Sequence, residues 1–188
     1  GALGCAMRPF LKWAGGKTRI VDRIKEVLPE GQRLIEPFVG SGALFLNAEF
    51  PRYLLADANK DLINCYQQLQ SGGVEFIGHC AAYFTPANNA ADAYYALRAR
   101  FNATVDPLER AALFVYLNRH GYNGLCRYNS SGGFNVPFGR YAKPYFPEDE
   151  MIAFCRKATR CTIQVADFLQ SMDTAAPGDV VYCDPPYV

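Results

Sequence analysis

The sequence predicts an α/β protein with an open β-sheet, and three observations support this prediction. Short apolar stretches have the length of buried strands, and two of them end at Asp57 and Asp184. Helical patterns of apolar residues separate these stretches. The first strand continues directly into the glycine turn Gly40-Ser41-Gly42 and an apolar helix start. Strand, glycine turn and helix in this order are typical of the first unit of a nucleotide-binding α/β fold.

The elements of the first half follow from apolar spacing and turn residues. Arg33–Glu36 and Tyr53–Ala56 are predicted strands, and Ala43–Leu46 begins the helix between them. A further helix is predicted over about Asp61–Gln70, because apolar residues recur there at helical spacing. The apolar residues of this helix face are Leu62, Ile63, Tyr66 and Leu69.

The second half combines helices, a loop region and two further strands. Helices are predicted over Ala90–Phe101, from Pro107 onwards and over Glu148–Thr159. Proline suits the first turn of a helix, where its missing N–H group has no partner to lose. Residues 121–147 are rich in glycine, proline and interleaved aromatic residues, so we expect a loop-and-hairpin region there. The last predicted strands are Thr162–Val165 and Val180–Cys183.

Size and composition exclude several classes of protein. The 188 residues are 50% hydrophobic and 20% charged, which is typical of a globular chain and excludes global disorder. No stretch approaches the roughly 20 apolar residues that a membrane-spanning helix requires. The seven cysteines form no CxxC pair and there are only two histidines, so we expect no metal site, no disulfide framework and a cytoplasmic location.

The net charge of +1 conceals an uneven distribution along the chain. Residues 1–21 contain four basic and no acidic residues, and residues 110–147 contain five basic and no acidic residues. The remaining residues must therefore sum to −8. This distribution suits a polyanion bound at one face of the protein, although chance clustering on a solvated surface is the alternative interpretation.

The tetrapeptide Asp184-Pro185-Pro186-Tyr187 follows the last predicted strand, at the kind of strand end where open α/β sheets bind ligands. Consecutive prolines stiffen the backbone and remove two N–H donors. The Asp184 carboxylate and the Pro185 carbonyl remain as acceptors beside the flat ring of Tyr187. Two acceptors and an aromatic ring fit an exocyclic amino group on a flat base. A rigid turn without function is the alternative.

A second motif, Glu36-Pro-Phe-Val-Gly-Ser-Gly42, ends the first strand, and Asp57 ends the next one. Glycines let a ligand approach the backbone, and an acid at the neighbouring strand end can accept hydrogen bonds from ribose hydroxyls. The glycines do not form a complete GxGxxG pattern. A single ribose-bearing cofactor therefore fits as well as a dinucleotide or better, and a plain tight turn is the alternative.

The segment Gly16-Lys17-Thr18 is similar to the end of a Walker A phosphate loop. The position five residues before Gly16 is Leu11 instead of the required glycine, which disfavours a nucleotidase or kinase. Lys17 beside the glycine pair can still bind a carboxylate. Trp13, the only tryptophan, packs against either a cofactor or the core.

Taken together, these segments resemble the Dam-type DNA adenine-N6 methyltransferases. The matching strings, in the family's order, are FLKWAGGK, EPFVGSG, LLADAN, LNRHGYNGLCRYN, GGFNVPFGRY, KPYFP and VVYCDPPY. The resemblance implies a Rossmann-like S-adenosylmethionine-dependent methyltransferase core, with an incomplete sheet in this chain and an inserted target-recognition domain of helices and a hairpin. We expect the core at 1–57, mainly the insert at 58–147, and the core again at 148–188.

The resemblance implies S-adenosylmethionine as the cofactor and double-stranded DNA as the partner, with methyl transfer to N6 of adenine, typically in GATC. Lys17 would bind the methionine carboxylate, Asp57 the ribose, and Asp167 with Phe168 the adenine of the cofactor. The full set of implied cofactor contacts is Trp13, Lys17, Phe38, Gly40, Ser41, Gly42, Asp57, Asp167, Phe168 and Asp184. The implied catalytic residues are Asp184, Pro185, Pro186 and Tyr187.

The resemblance also divides the DNA contacts into two groups. The base-contacting positions match at Lys12, Arg98, Asn123, Leu125, Arg127 and Pro137, and Tyr122 matches the residue that inserts where the adenine leaves the duplex. The implied backbone contacts are Arg119, Arg140, Tyr141 and Lys143. The chemistry of base edges supports this division, because arginine can contact guanine bidentately, and leucine or proline can contact a thymine methyl group.

The chain ends one residue after the Asp-Pro-Pro-Tyr motif, whereas the family's sheet continues for several strands. The resemblance therefore predicts a fragment that a C-terminal segment or a second polypeptide completes. A non-catalytic DNA-binding half is the first alternative function. Cytosine-N4 methylation needs the same amine geometry and is the second, disfavoured by Asp184 before the two prolines.

Overall fold

The structure, a computed structural model, describes residues 6–15 and 20–184 and contains a four-stranded parallel sheet. The strands are β1 (Arg33–Glu36), β2 (Arg52–Asp57), β3 (Cys161–Val165) and β4 (Asp179–Val181). Their order across the sheet is β3-β2-β1-β4, and each neighbouring pair is parallel. The predicted α/β class is therefore confirmed.

Seven α-helices accompany the sheet within the described ranges. They are α1 (Val21–Val27), α2 (Ala43–Asn47), α3 (Lys60–Ala81), α4 (Ala91–Ala103), α5 (Pro107–His120), α6 (Glu148–Ala158) and α7 (Phe168–Asp173). Short 3₁₀ turns cover Pro86–Asn88 and Tyr122–Gly124. Helix α5 begins at Pro107 as predicted, whereas α1 and α7 were not predicted. None of these helices combines the length and the hydropathy needed to cross a membrane.

The middle of the sheet is formed by β1 and β2, whose apolar sequences reflect burial. Leu34, Ile35 and Leu55 are fully buried, and strands buried on both faces are continuously apolar. The chain passes from β1 to β2 and β3 in one direction, and β4 then pairs with the opposite edge of β1. Strand order therefore reverses between β1 and β4, which is where open α/β sheets bind ligands.

Helix α3 is longer than the sequence pattern predicts. The side chain of Asn59 caps it by accepting hydrogen bonds from two backbone N–H groups of the first turn. The helix continues beyond the predicted end at Gln70 to Ala81, with an abrupt bend at Gly73, where φ is +55° and ψ is −131°. Glycine is unfavourable in the interior of a helix, so the sequence pattern placed the end of α3 too early. Buried Phe76 continues the apolar face and stabilises the second part.

The regions assigned to the predicted core and insert share one hydrophobic core. Helix α3 packs against β2, β3, α5 and α6, and α5 also packs against α4. The three-part division of the chain stays a prediction. Residues 121–147 form the expected loop-and-hairpin region, with isolated antiparallel bridges between Gly121 and Phe138 and between Tyr128 and Phe134.

Candidate functional site

The turn after β1 brings backbone to the surface at the carboxyl edge of the sheet. Gly40 and Gly42 have φ values of +51° and +79°, a conformation that glycine adopts without strain. The Val39 N–H group donates to the Ala56 carbonyl at 2.9 Å, which holds the turn against the end of β2. Ser41 between the glycines is partly exposed. The turn is thus partly exposed at Gly40 and Ser41, whereas Gly42 is buried.

Asp57 connects the ends of β1 and β2. Its Oδ2 accepts a hydrogen bond from the Gly40 N–H group at 3.1 Å, and its Oδ1 accepts one from the Asn59 N–H group at 3.0 Å. A carboxylate has about four lone-pair positions, so these two bonds leave further acceptor capacity. The side chain is partly exposed at the strand end, and it is therefore placed to accept hydrogen bonds from hydroxyl groups.

Trp13 lies against the same turn from the N-terminal segment. A Cβ atom placed on Gly40 would lie 3.3 Å from Trp13 Cδ1 and 3.4 Å from Trp13 Nε1. The indole also contacts Phe114 of α5, with 6.4 Å between ring centroids, so Trp13 packs against both the turn and the core. Lys17, which follows in the same segment, lies outside the described residues.

Two phenylalanine rings approach each other beside the ends of β1 and β3. The rings of Phe38 and Phe168 are nearly parallel, with 6.1 Å between centroids and 9° between planes. Asp167 caps α7: it accepts a hydrogen bond from the Gln170 N–H group at 2.8 Å, and the Gln170 side chain accepts one from the Asp167 N–H group at 3.1 Å. This reciprocal capping box fixes Asp167 next to the aromatic pair.

Asp184 lies just beyond β4, at the same edge of the sheet. β4 pairs with β1 in the register Ile35–Val181, and the Tyr182 N–H group continues the pairing by donating to the Ile35 carbonyl at 2.9 Å. Asp184 is partly exposed. The neighbouring end of β1 carries Glu36, a carboxylate that is only 3% exposed. The predicted catalytic residues Pro185, Pro186 and Tyr187 lie outside the described residues.

The N-terminal segment also contacts the last turn of α5 and the region that follows it. The Lys12 N–H group donates to Asn118 Oδ1 at 2.8 Å, and Asn118 Nδ2 donates to the Lys12 carbonyl at 2.7 Å. Lys12 Nζ lies 4.4 Å from the Tyr141 ring centroid, and the Tyr141 hydroxyl accepts a hydrogen bond from the Asn123 N–H group. Burial, together with the charge of Arg119, lowers the pKa of Lys12. Positions from three segments thus form one cluster.

The cations predicted to contact bases are partly held by other groups. Arg127 Nε donates to Asn135 Oδ1 at 3.1 Å, and Arg98 Nη1 donates to the Val136 carbonyl at 3.1 Å. These bonds fix the orientation of both guanidinium groups beside the hairpin. Among the other residues predicted to lie beside the bases, Tyr122 and Pro137 are exposed and Leu125 is partly exposed.

The cations predicted to contact the DNA backbone have different environments. Arg119 donates from Nη2 to the Phe10 carbonyl at 2.6 Å, and burial lowers its pKa. Arg140 is exposed in the left-handed backbone region, with φ +56°, and lies 5.8 Å from the Phe138 ring. Lys143 is exposed. Arg119 therefore also has a structural role, whereas Arg140 and Lys143 face solvent.

Comparison of the sequence with known proteins identifies its family. A sequence model of the D12 class N6 adenine-specific DNA methyltransferases matches residues 13–188. The chain belongs to this family. The DNA adenine methylase of Escherichia coli (strain K12) is 53% identical to this D12-class chain over 180 residues. The DNA adenine methylases of Salmonella typhi and of Vibrio cholerae serotype O1 (strain ATCC 39541 / Classical Ogawa 395 / O395) are 53% and 51% identical over the same length.

Each of these matches covers 96% of the D12-class chain and 65% of the relative. The chain thus spans 65% of the length of the curated relatives that it matches. The description of the matched family names adenine as the target base.

Sequence reasoning missed several residues around the site of this D12-class chain. The capping box at Asp167 was visible as an acid followed three residues later by Gln170, which is a helix-start signal. Glu36 was noted only as the start of a motif. It is only 3% exposed, which is unusual for a carboxylate, and no local pattern indicates this burial. The contacts of Asp61 with Tyr128 join segments 67 residues apart, and no local pattern indicates them.

Proposed function

We propose that the full-length protein transfers a methyl group from S-adenosylmethionine to N6 of an adenine flipped out of duplex DNA, within GATC. The observation that carries this proposal is the placement of Gly40, Asp57 and Asp184 at the ends of three neighbouring parallel strands. Membership of the adenine-specific family supports the reaction class. Lys12 against Tyr141, and Arg127 held by Asn135, place cations beside the loop-and-hairpin region of residues 121–147, which supports DNA as the substrate.

The chemistry of the sheet edge fits S-adenosylmethionine. The Asp57 carboxylate suits the ribose hydroxyls, because its bonds to two backbone N–H groups fix its orientation. Phe168 is 40% exposed and nearly parallel to Phe38, which suits contact with an adenine ring beside the Asp167 carboxylate. The backbone of the turn at Ser41 suits close approach of the cofactor. When bound, the cofactor supplies an electrophilic methyl group on its sulfonium sulfur.

Asp184 is the acceptor that we propose for the target amine. The lone pair of an adenine amine is conjugated with the ring, so the amine is a poor nucleophile. If the Asp184 carboxylate and the Pro185 carbonyl each accept a hydrogen bond from one N–H of the adenine amine, the nitrogen lone pair becomes localised toward the methyl group. Pro186 would stiffen this turn, and Tyr187 would stack on the base. Positioning and electrostatic stabilisation then supply most of the acceleration.

The region after α5 supplies the proposed DNA contacts. Tyr122 is 49% exposed, and an exposed aromatic side chain can fill the gap that a flipped base leaves in the duplex. Arg127 projects from the adjoining loop and would contact guanine in the major groove. Lys143 and Arg140 are exposed and would contact phosphates. The contribution of such contacts to DNA affinity decreases as the salt concentration rises.

The test is methyl transfer from tritiated S-adenosylmethionine by the full-length protein. We expect incorporation into a duplex that contains GATC. We expect none into a duplex with that site scrambled, or into one in which both GATC adenines already carry an N6-methyl group. Incorporation into the premethylated duplex would assign the methyl group to another atom. Equal incorporation into all three duplexes would contradict the proposed site.

The open edge of β4 supports a second candidate function for this chain taken alone. Among the described strands, β4 pairs with β1 on one edge and has no strand on the other, and such edges invite further pairing. We propose that a C-terminal segment or a second polypeptide completes the sheet, and that this chain alone binds DNA without catalysis. The test adds the remainder of the protein in trans. Activity that needs both parts supports this proposal, and equal activity of the chain alone contradicts it.

A further inference from the structure

Polar contacts connect the first turn of α3 with the loop that carries Arg127. The Asn59 Nδ2 group donates to Cys126 Sγ at 3.5 Å, and the Cys126 thiol lies 3.6 Å from the Tyr128 hydroxyl. The Tyr128 hydroxyl donates to Asp61 Oδ2 at 2.6 Å. Arg127 stands between Cys126 and Tyr128 in the sequence. Both sequence neighbours of Arg127 are therefore held by residues at the start of α3.

Asp61 is held in turn by Arg110 of α5. Arg110 Nε lies 2.7 Å from Asp61 Oδ1, and Arg110 Nη2 lies 3.3 Å from Asp61 Oδ2. The Asp61 side chain is only 12% exposed, so solvent competes little for these bonds. A two-point arginine–carboxylate pair fixes geometry as well as charge. Burial raises the pKa of Tyr128, so its hydroxyl keeps the proton that it donates to Asp61.

The other side of the loop is held by the hairpin. The Tyr128 ring packs edge-on against Phe134, with 5.9 Å between centroids. Asn102 of α4 accepts a hydrogen bond from the Phe134 N–H group at 2.8 Å and donates to the Phe134 carbonyl at 3.0 Å. Arg127 is itself exposed. An exposed arginine thus projects from a backbone segment that is fixed on both sides.

We propose that Asp61 and Tyr128 are positioning residues for Arg127, and that their hydrogen bond determines how strongly the protein discriminates at one base pair of its DNA site. This inference rests on the proposed function, because it requires that Arg127 contacts a base. Neither residue needs to touch DNA. Their effect arises because a bidentate contact to a base tolerates little displacement of the arginine backbone.

The first variant is Tyr128→Phe in the full-length protein, which removes the hydroxyl and keeps the ring that packs on Phe134. Methyl-transfer rates are measured on GATC and on all of its single-base-pair variants. The base pair that Arg127 contacts is the one whose preference Arg127→Ala abolishes. At that base pair we expect Tyr128→Phe to lower discrimination about tenfold, since a bidentate contact supplies about that much or more. We expect this loss of discrimination to arise from a higher KM for GATC, with kcat on GATC changed less than about twofold.

A second variant and a matched control separate positioning from general loss of structure. Asp61→Asn keeps the shape of the side chain and removes its charge, and we expect it to affect the same base pair. Arg100 of α4 and Glu109 of α5 form a surface ion pair, with 2.8 Å between Arg100 Nε and Glu109 Oε1. Glu109→Gln removes the negative charge of this pair and should leave the base-pair preferences unchanged. Thermal unfolding of each variant is measured in parallel.

The outcomes distinguish this inference from the proposed function. If Tyr128→Phe and Asp61→Asn keep wild-type discrimination while Arg127→Ala loses it, the positioning role is wrong and the function stands. If preference falls equally at every base pair together with the unfolding temperature, Tyr128 only supports the fold, and the inference is also overturned. If the wild-type protein shows no base preference, the proposed function itself fails.

Discussion

The carboxylate of Asp57 accepts a 3.1 Å hydrogen bond from the backbone N–H group of Gly40, and this bond joins the end of β2 to the turn after β1. Trp13 covers the same glycine, because a Cβ atom there would lie 3.3 Å from the indole. The acid therefore holds the turn in place and presents further acceptor positions beside it. Loss of Asp57 should affect ligand binding both directly and through the turn.

We expect Asp57→Ala to weaken S-adenosylmethionine binding to the full-length protein by about 1–3 kcal/mol, because a charged hydrogen-bond acceptor is lost. Isothermal titration calorimetry measures the affinity. Asp92→Ala removes an exposed carboxylate from the first turn of α4 and should leave the affinity unchanged. Wild-type affinity in a folded Asp57→Ala protein would show that Asp57 does not bind the cofactor.

We expect Asp184→Ala to reduce methyl transfer about a hundredfold or more, since removal of one preorganised electrostatic group at a reacting centre has about that effect. DNA affinity should stay within about twofold of wild type, because the contacts after α5 are unchanged. Radiolabel incorporation and fluorescence anisotropy measure the two quantities. A variant that keeps more than about a tenth of the wild-type rate would exclude the orienting role.

Gly124→Ala should destabilise the protein through strain and overlap together. Gly124 has φ +61°, and a Cβ atom on it would overlap the Lys12 side chain. Gly132 has φ +86°, with open space around the equivalent position, so Gly132→Ala measures strain alone. We expect about 1 kcal/mol for Gly132→Ala and at least about 1 kcal/mol more for Gly124→Ala. Urea unfolding measures both, and equal values would show that Lys12 moves aside freely.

The strands of the sheet, and the strand ends that carry the candidate site residues, could be predicted from sequence, because each depends on local signals. The apolar runs before Asp57 and Asp184 marked β2 and the approximate place of β4, although β4 spans Asp179–Val181 instead of the predicted Val180–Cys183. The strand ends of a parallel sheet meet at one edge. The end of α3 was misplaced because packing of Phe76 offsets the cost of Gly73. The contacts of Asp61 could not be predicted, since they depend on how α3, α5 and the hairpin pack together.

Stability should fall as the pH drops below about 6.5, through His120. This residue is 1% exposed, and burial lowers its pKa to about 4, with a smaller effect from the charge of Lys12. The unfolded chain therefore takes up a proton near pH 6.5 that the folded protein accepts only near pH 4. The contribution of neutral His120 to the free energy of unfolding is therefore complete above pH 6.5. It is lost as the pH falls from 6.5 to about 4, and the loss is at most about 3 kcal/mol.

Urea unfolding at pH 7.5 and pH 4.5 tests this expectation about His120. Carboxylates also titrate in this range, so the quantity that matters is the difference between wild type and His120→Gln. We expect the variant to be less stable at pH 7.5 and to lose less free energy of unfolding on acidification. Equal losses in the two proteins would show that His120 does not control this transition.

Arg127 and Lys143 should affect DNA binding in different ways, because their surroundings differ. Arg127 Nε is held by Asn135 at 3.1 Å, in a loop fixed at Tyr128. Such restraint suits a residue that recognises a base, because a defined guanidinium plane matches the two acceptors of guanine. Lys143 is exposed in the segment that follows the hairpin. A flexible ammonium group suits a phosphate, which offers charge without sequence information.

We therefore expect Arg127→Ala to weaken binding to the GATC duplex by about 1–3 kcal/mol and to abolish preference at one base pair only. Lys143→Ala should weaken cognate and scrambled duplexes equally and reduce the slope of log affinity against log salt by about one. Affinities for all single-base variants of GATC at two salt concentrations measure both effects. If Arg127→Ala weakens every duplex equally, Arg127 contacts the backbone instead of a base. If Lys143→Ala alters base preference, the two roles must be exchanged, because only a residue at a base edge can distinguish one base pair from another.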